Sequence, residues 1–334
     1  DTVTRRLAHE PPGHRPTTLL VRVRRYRCAH CRRAWRQDMT KAAAPRAKIS
    51  RLGVEWALRG VVIDHLTVTR VAAGLGVSWS AANTAVLAEG KRRLIEDPAR
   101  FDGVTTIGVD EHVWRHTRVG DKYVTVIIDL TPAREKTGPA RLLDMIEGRS
   151  KAVFKQWLAA RPTEWSKQIE VVAMDGFAGF KTAAAEELPD AVPVMDPFHV
   201  VRLAGDALDQ CRRRVQQDLF GRRGMKNDPL YKARREPDKK KAKEMMQSVI
   251  DAITTGVPAA LVEIRKLGRT MTQRAVDILA FFDRPGTSNG PTEAINGRLE
   301  HLRGSALGFR NLTHYIARSL LEAGGFRPAL HPQS

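Results

Sequence analysis

The chain of 334 residues has only three cysteines and far fewer acidic than basic side chains. An odd and sparse set of cysteines argues against a disulfide framework and favours a reducing compartment. No run approaches the ~18 consecutive apolar residues of a membrane-spanning helix, and no signal peptide opens the sequence. These absences exclude a disulfide-rich secreted protein and an integral membrane protein, and they predict a soluble protein of the cytoplasm.

Positive charge is what the chain has in excess. Lysine and arginine total 56 against 37 acidic residues, which gives a formal net charge of +19. Such an excess favours polyanionic partners, although a generically basic soluble protein is the alternative. At roughly 100–200 residues per domain, the length predicts two to four domains. The basic runs, which either follow phosphates or are solvated faces, lie at 22–25, 212–214, 222–223 and 239–241.

Residues 1–45 predict a partial zinc ribbon. An alternating strand pattern over 18–31 ends in Cys28-x-x-Cys31, which has the spacing of one zinc knuckle. A tetrahedral zinc site needs four ligands, usually two such pairs, and this chain has no second pair. Because the chain begins at Asp1 inside this module, we expect N-terminal residues of the protein to be missing. Substitute ligands, whose spacing follows no common zinc pattern, are His9, His14 and His30. The third cysteine, which we interpret as a packing residue, is Cys211.

Residues 46–98 predict an all-α helix-turn-helix domain. Apolar side chains over 68–75 recur at helical spacing, Gly76 permits a tight turn, and Ser78 can cap a second helix. The start of the second helix in such a motif faces a major groove. A plain helical hairpin is the alternative. The predicted DNA-contacting residues are Ser78, Trp79, Ser80 and Asn83.

Residues 99–326 have the pattern of a mixed α/β domain. Hairpin strands come first and are followed by alternating strands and helices, which indicates a mixed sheet. From about 205 to 285 no convincing strand occurs, so we predict a helical insertion there. The β-rich runs are 104–110, 122–130, 140–146, 169–175 and 191–196, and the helical patterns between the later ones are 151–160 and 177–188.

Three of the predicted strands end in an aspartate: Asp110, Asp175 and Asp196. Each follows an apolar run and is therefore expected at the carboxyl edge of a buried strand, where open α/β sheets place their sites. A carboxylate there faces a desolvation cost unless a metal or a hydrogen-bond donor compensates. A turn or capping role is the alternative for each one. Asp129, which closes another strand, competes for a place in this site.

Two further candidates lie at predicted helix starts. Glu293 follows Pro291 near the third helical position, where a glutamate serves either as a metal ligand or in a capping box with Asn289 or Gly290. His199 begins another helix, and taken alone it is more typical of a structural hydrogen bond than of a ligand.

Five blocks resemble, in order and spacing, the ISL3 family of DDE transposases: IGVDEHVW, GDKYVTVIIDL, VVAMDGFAGF, VPVMDPFHVVR and SNGPTEAINGRLEHLRGSALGFRN. The resemblance covers nearly the entire chain, from the Cys-x-x-Cys region to about Phe326. Its specific parts are the DPFHVV block and the terminal Asn-Gly-x-x-Glu-x-x-Asn block. The second acidic block departs from many relatives, which have Met or Ser after the aspartate and a Tyr; this weakens the flanking match and not the acid.

The resemblance implies a ribonuclease H-like catalytic domain with Asp110, Asp175 and Glu293 as the catalytic acids that hold Mg²⁺ or Mn²⁺. Asp196 and His199 are expected to support them. It also implies that Zn²⁺ binds Cys28 and Cys31 together with a second pair lying upstream. The implied function is DNA transposition: binding of the terminal inverted repeats of an insertion sequence, metal-dependent strand cleavage, and strand transfer into target DNA by a homo-oligomer.

The chemistry suits these acids. Both steps are in-line displacements at phosphorus, which two hard cations roughly 3.5–4 Å apart promote, and magnesium prefers carboxylate oxygens. One alternative is a DNA-binding regulator with an inactive transposase-derived domain. A second is a related nuclease or a metal-dependent hydrolase of another substrate. In either DNA-binding case we expect a bacterial cytoplasmic protein associated with the nucleoid and not with a membrane.

Overall fold

The computed structural model describes residues 2–117, 122–222 and 242–331. The basic run at 239–241 and the second residue of the run at 222–223 lie outside these ranges. No single helix in the described ranges is long and apolar enough to cross a membrane. The two helical segments at 68–75 and 79–95 reach that length and apolar content only when they are counted together, and the chain bends by 109° between them.

The N-terminal part is an antiparallel sheet of three strands: β1 (Thr2–His9), β2 (Thr17–Arg27) and β3 (Ala34–Arg36). Leu7 and Val23 are the side chains that this sheet buries, and most of the others are exposed. The Cys-x-x-Cys pair lies in the turn between β2 and β3. A single bridge from Ala8 to Ile49 connects β1 to the segment that follows.

Three helices follow: α1 (Arg51–Val62), α2 (Val68–Leu75) and α3 (Trp79–Gly90). Each begins at a hydroxyl side chain that accepts a hydrogen bond from the first turn, as capping residues do: Ser50, Thr67 and Ser78. Gly76 ends α2 in the left-handed conformation at φ +63°, which a residue without Cβ adopts at little cost. The predicted sharp turn between two helices at 67–94 is therefore present.

The second sheet has five strands: β4 (Thr106–Val113), β5 (Tyr123–Asp129), β6 (Arg141–Glu147), β7 (Val171–Met174) and β8 (Val192–Met195). Their order across the sheet is β6-β5-β4-β7-β8. β4, β5 and β6 pair antiparallel, whereas β7 and β8 run parallel to β4. All five predicted strands and the mixed character of the sheet are confirmed.

The other α-helices of the described chain lie around the sheet and after it. Between the strands and around the sheet they are α4 (Thr131–Glu135), α5 (Lys151–Ala159), α6 (Thr163–Gln168) and α7 (Ala178–Glu187). In and after the predicted insertion they are α8 (Pro197–Phe220), α9 (Ala242–Thr255), α10 (Val262–Gln273), α11 (Ala275–Asp283), α12 (Gly290–Ser305), α13 (Leu312–Ala323) and α14 (Arg327–Leu330). The described part of 205–285 contains helices and no strand, as predicted.

The five-stranded sheet has an apolar layer on each face. One face packs against α5, α6 and α7, with Phe154 and Phe180 buried there. The other face shares a single apolar cluster with α12, α13 and the three helices α1, α2 and α3. Gly90 of α3 lies so close to α13 that a Cβ atom there would come within 2.8 Å of Leu321. The helices at 46–98 thus share a core with the sheet, and their separation as a domain stays a prediction.

A buried polar pair joins the central strand to α13. His112 of β4 and Tyr315 of α13 are both buried, and the His112 Nε2 atom lies 2.7 Å from the Tyr315 hydroxyl. Burial lowers the pKa of His112 to about 4, because the charged imidazole loses its hydration there.

We expect the free energy of unfolding to fall as the pH drops from about 6.5 toward 4. The unfolded chain binds a proton at His112 near pH ~6.5, whereas the folded chain resists protonation until the pH nears 4. The neutral ring therefore makes its full contribution to the free energy of unfolding above the unfolded pKa. At about pH 5 this contribution is smaller by roughly 2 kcal/mol. Urea unfolding at a series of pH values measures this loss.

The variant His112→Gln, which keeps a hydrogen-bonding side chain beside Tyr315, should show a shallower decline over this pH range. His301→Gln, at an exposed histidine, serves as the control and should decline like the unsubstituted protein. An equally steep decline in His112→Gln would contradict the assignment.

Candidate active site

The strand register aligns three carboxylates at one edge of the sheet. Val109 pairs with Met174 on the next parallel strand, and Met174 pairs with Met195 on the one after. The residue that follows on each strand is one of the predicted aspartates: Asp110, Asp175 and Asp196. Neighbouring strands lie about 4.8 Å apart, so Asp175 and Asp196 are neighbours at the carboxyl ends of β7 and β8, with Asp110 beside them on β4. The prediction that Asp110 ends its strand is wrong, because β4 continues to pair with β5 as far as Val113.

Asp110 lies on β4, the central strand of the sheet, and is largely buried. Its Oδ2 atom accepts a hydrogen bond of 2.9 Å from the Asn296 side-chain amide, and its Oδ1 atom accepts one of 2.8 Å from the Glu111 backbone N–H. Burial raises the pKa of Asp110 to about 6, and the nearby Asp175 carboxylate raises it further, whereas His199 acts to lower it. A neighbouring cation would stabilise the charged form of this carboxylate.

Asp175 is held in a tight turn and tied to the helical insertion. Its Oδ1 atom accepts a 2.8 Å hydrogen bond from the Phe177 backbone N–H, and its carbonyl oxygen lies 3.5 Å from the guanidinium of Arg274. Arg274 lies just before α11 and is buried, and its Nε atom is 2.7 Å from Asp277. Lys181 of α7 reaches the same Asp277 oxygen at 2.7 Å. This charged trio packs the insertion against the turn that carries Asp175.

Asp196 anchors the start of α12. It is fully buried, and its Oδ1 atom accepts hydrogen bonds of 2.9 Å from the Asn289 N–H and 3.2 Å from the Ser288 hydroxyl. The backbone N–H that a capping box would have offered to Glu293 is therefore taken by Asp196. Glu293 occupies the fourth position of α12, where its side chain is exposed. This arrangement leaves its carboxylate free for another partner.

Three side chains converge at this point closely enough to bind a metal. The ligand atoms of Asp196, His199 and Glu293 all lie within 4.8 Å of one another. Both Asp196 Oδ2 and His199 Nε2 are buried without a hydrogen-bond partner in the described part of the chain. Buried polar atoms normally have a partner, so two orphaned atoms side by side fit a bound cation. Mg²⁺ and Mn²⁺ accept the carboxylates, and imidazole suits transition metals.

Asp110 and Asp175 are not part of this group of three, but they lie beside it. His199 is close enough to Asp110 to shift the pKa of that carboxyl. Asn296 lies three residues after Glu293, on the same side of α12, and its amide contacts Asp110. Neither Asn296 nor Arg274 was predicted to be a site residue. Asn296 could have been predicted from its spacing of three residues after Glu293. No local sequence pattern marks Arg274.

Asp129 does not join the site. It is buried on β5, which runs antiparallel to β4, and it lies opposite Ile107. Its two carboxylate oxygens accept hydrogen bonds from the Thr131 N–H at 2.9 Å and the Arg141 guanidinium at 2.8 Å. Both oxygens already accept hydrogen bonds, so Asp129 has a structural role and is not part of the site.

The two cysteines lie close together in the turn between β2 and β3. The Cys31 N–H lies 3.5 Å from Cys28 Sγ, and this contact, with that of the His30 N–H, lowers the pKa of the Cys28 thiol. Of the substitute ligands, His9 is engaged by the Ser50 hydroxyl at 2.8 Å. Among the described residues, no cluster of three or more metal-binding side chains includes either cysteine.

The predicted DNA-contacting residues have different exposures. Ser78 caps α3 and its hydroxyl lies 3.2 Å from that of Ser80, and both residues are exposed. Trp79 is 53% exposed, whereas Asn83 is only 5% exposed. Thr84, which was not predicted to contact DNA, lies on the exposed side of α3.

Known proteins similar to this chain are transposases. The family model described as transposase, of the ISL3 type, matches residues 107–239 and 225–319. Two relatives named "Transposase for insertion sequence element IS1557", from the CDC 1551 and H37Rv strains of Mycobacterium tuberculosis, are each 27% identical over 298 residues. These alignments cover 70% of this chain, and the chain spans 64% of the length of each relative.

The family match covers the five-stranded sheet, Asp110, Asp175 and the helix that carries Glu293. Together with the named relatives, it shows that this chain belongs to the ISL3 family of insertion-sequence transposases.

Proposed function

We propose that this protein is a DDE transposase that cuts DNA at the ends of an insertion sequence and joins the released 3′ ends to target DNA. The observation that carries this proposal is the alignment of Asp110, Asp175 and Asp196 on three adjacent parallel strands, with α12 bringing Glu293 to the same edge. The family membership supports a DNA substrate, and the surplus of positive charge supports it independently.

The topology supports a ribonuclease H-like assignment for the catalytic domain. In chain order the five strands take the spatial order third, second, first, fourth, fifth, with the second antiparallel to its neighbours. The parallel strands β7 and β8 end beside Asp110 of β4, and the helical insertion separates all three strands in sequence from α12. A site built from distant acids on one edge is what this arrangement allows.

In the proposed mechanism, Asp110, Asp175 and Glu293 would hold divalent cations, and Asp196 and His199 would support them. When bound, such cations activate an oxygen nucleophile and stabilise the leaving oxygen at phosphorus. Asn296 orients the Asp110 carboxylate through its 2.9 Å hydrogen bond. Asp196 holds the start of α12 so that Glu293 faces the edge of the sheet. The raised pKa of Asp110 and the orphaned atoms of Asp196 and His199 fit such a cation site.

DNA binding is assigned to the N-terminal modules. α2 and α3 meet at a sharp bend, which suits a helix-turn-helix whose second helix enters a major groove. In this assignment Ser78, Trp79 and Ser80 contact DNA from the start of α3. Asn83 is buried, so in this assignment it contacts DNA only where part of the DNA enters a groove of the protein surface. We further propose that the protein acts in the cytoplasm as a homo-oligomer on DNA, since two ends must be joined.

Asp110→Asn, Asp175→Asn and Glu293→Gln should each abolish DNA cleavage and strand transfer. Each change keeps the volume of the side chain and removes a charge that holds the cations. We expect a loss beyond the roughly 10–100-fold that outer-shell substitutions cause, while binding of the terminal repeat stays within about two-fold. Cleavage of labelled repeat DNA with Mg²⁺ or Mn²⁺ measures the rate, and a mobility shift measures binding.

Glu111→Gln is the matched control, because Glu111 neighbours Asp110 on β4 but is exposed and pairs with Arg149. This variant should cleave at nearly the normal rate. Full activity of Glu293→Gln would refute the assignment of the third acid. Binding of the repeat without any cleavage by the unsubstituted protein would favour a DNA-binding regulator instead.

Asp196→Asn and His199→Gln should weaken the response to metal more than they weaken DNA binding. Both side chains face Glu293 with an orphaned polar atom, so each change should raise the Mg²⁺ concentration for half-maximal cleavage, by roughly 10-fold or more. Mn²⁺ should restore part of the rate, because it tolerates the altered ligands better. A reduced maximal rate at an unchanged Mg²⁺ requirement would assign both residues to folding of the α12 start.

We expect this chain to retain less than one zinc ion after dialysis against a chelator, because Cys28 and Cys31 supply only two of the four ligands that a structural site needs. A longer protein that supplies a second cysteine pair upstream should retain one zinc ion per chain, and Cys28→Ser should abolish that retention. Atomic absorption measures the stoichiometry. Chelator-resistant zinc in the present chain would show that other ligands complete the site.

A further inference from the structure

A groove of about 150 Å³ lies between the start of α3 and the loop that joins α12 to α13. Its lining includes two exposed apolar side chains, Trp79 and Leu307, and two buried polar ones, Asn83 and Arg318. None of these residues belongs to the carboxylate site. At about 30 Å³ per water molecule, the groove holds roughly five waters, which leaves room for one flat ring but not for a double helix.

One buried polar side chain of the groove has an atom without a partner among the described residues. Arg318 is 6% exposed, and its Nη1 atom is buried without a hydrogen-bond acceptor in the described ranges. Asn83, which is 5% exposed, adds an amide to the same lining. Buried polar groups are normally satisfied, so an orphaned guanidinium nitrogen beside an amide in one groove favours a ligand with hydrogen-bonding edges.

The rim of the groove contains a leucine in an unusual conformation. Leu307 is 96% exposed and has φ +55°, a left-handed conformation that a branched side chain disfavours. Its N–H bonds the Gly304 carbonyl at 3.0 Å, and the Gly308 N–H bonds the Arg303 carbonyl at 2.9 Å. This is the helix-ending motif in which glycine usually occupies the left-handed position. Local folding would favour glycine at 307, so the leucine calls for another reason.

The combination of groups matches a nucleobase. An exposed tryptophan offers a flat surface on which any base stacks. Asparagine and arginine are the side chains that pair with base edges, through their donor and acceptor atoms. An apolar side chain such as leucine, presented on a protein surface beside DNA, enters the stack and fills the space that a displaced base leaves.

We propose that this groove holds one base displaced from duplex DNA, stacked on Trp79 and hydrogen-bonded by Asn83 and Arg318, while Leu307 fills the gap in the duplex. This inference rests on the DNA-binding role proposed above. The same helix that ends at this groove carries Glu293, and from Glu293 to Ser305 it rises about 18 Å. Displacement of the base and strand cleavage would therefore take place on one stretch of DNA.

The test compares a short, fully paired duplex with the same duplex that carries one unpaired 2-aminopurine. The full chain should bind the second about ten-fold more tightly, as expected for one base stacked on an aromatic ring, and binding should quench the 2-aminopurine fluorescence. Trp79→Ala should lose this preference, so that its affinities for the two duplexes become equal, whatever the change in its affinity for the paired duplex. Trp35→Ala is the matched control, since Trp35 is 52% exposed on the N-terminal sheet, and it should keep the preference.

Leu307→Gly separates function from folding. Since glycine suits the left-handed position, the melting temperature should be unchanged or higher, while the preference for the unpaired base falls several-fold. Equal affinity of the unsubstituted protein for the two duplexes would overturn the proposal, and so would an intact preference in Trp79→Ala. Loss of a dimer in Leu307→Gly, with DNA binding unchanged, would identify the rim as a contact between copies. Failure to bind any DNA would instead defeat the proposed function.

Discussion

The docking of α12 onto the central strand is the contact on which the site depends. At Gly108 of β4 an added Cβ would come within 2.7 Å of Thr292 and 3.1 Å of Asn289, so only a glycine lets the helix approach this closely. Asp196 then fixes the start of the helix by accepting the Asn289 N–H. These two contacts bring Glu293 to the edge of the sheet.

Some buried polar groups of this protein are satisfied and others are not. The Asp129 carboxylate bonds both Thr131 and Arg141, and it lies away from the site. Unsatisfied atoms occur at several places in the described chain; those of Asp196 and His199 lie at the carboxylate edge, and one belongs to Arg318, which lines the groove beside α3. An unpaired buried group costs free energy, and at the two proposed sites a ligand would offset that cost. The two sites are connected by α12.

Much of the fold followed from local patterns. The five strands and the helical insertion were predictable because buried parallel strands are short apolar runs and helices show their own periodicity. Asp110, Asp175 and Asp196 were found because each directly follows such a run. Asn83 was also selected by its position at the start of α3, but its burial was not predictable, because it depends on a loop more than 200 residues away in the chain. Arg274 was missed for the same reason.

The sequence by itself determined which residues form strands and helices, which carboxylates follow the apolar runs, and the surplus of positive charge. These are properties of neighbours along the chain. Only the tertiary structure decided that Asp196 would bond the start of α12, that Asn296 would face Asp110, and that α3 would share a core with α13. Such contacts depend on strand register and on how closely two backbones approach, and both arise from packing between segments that are remote in sequence.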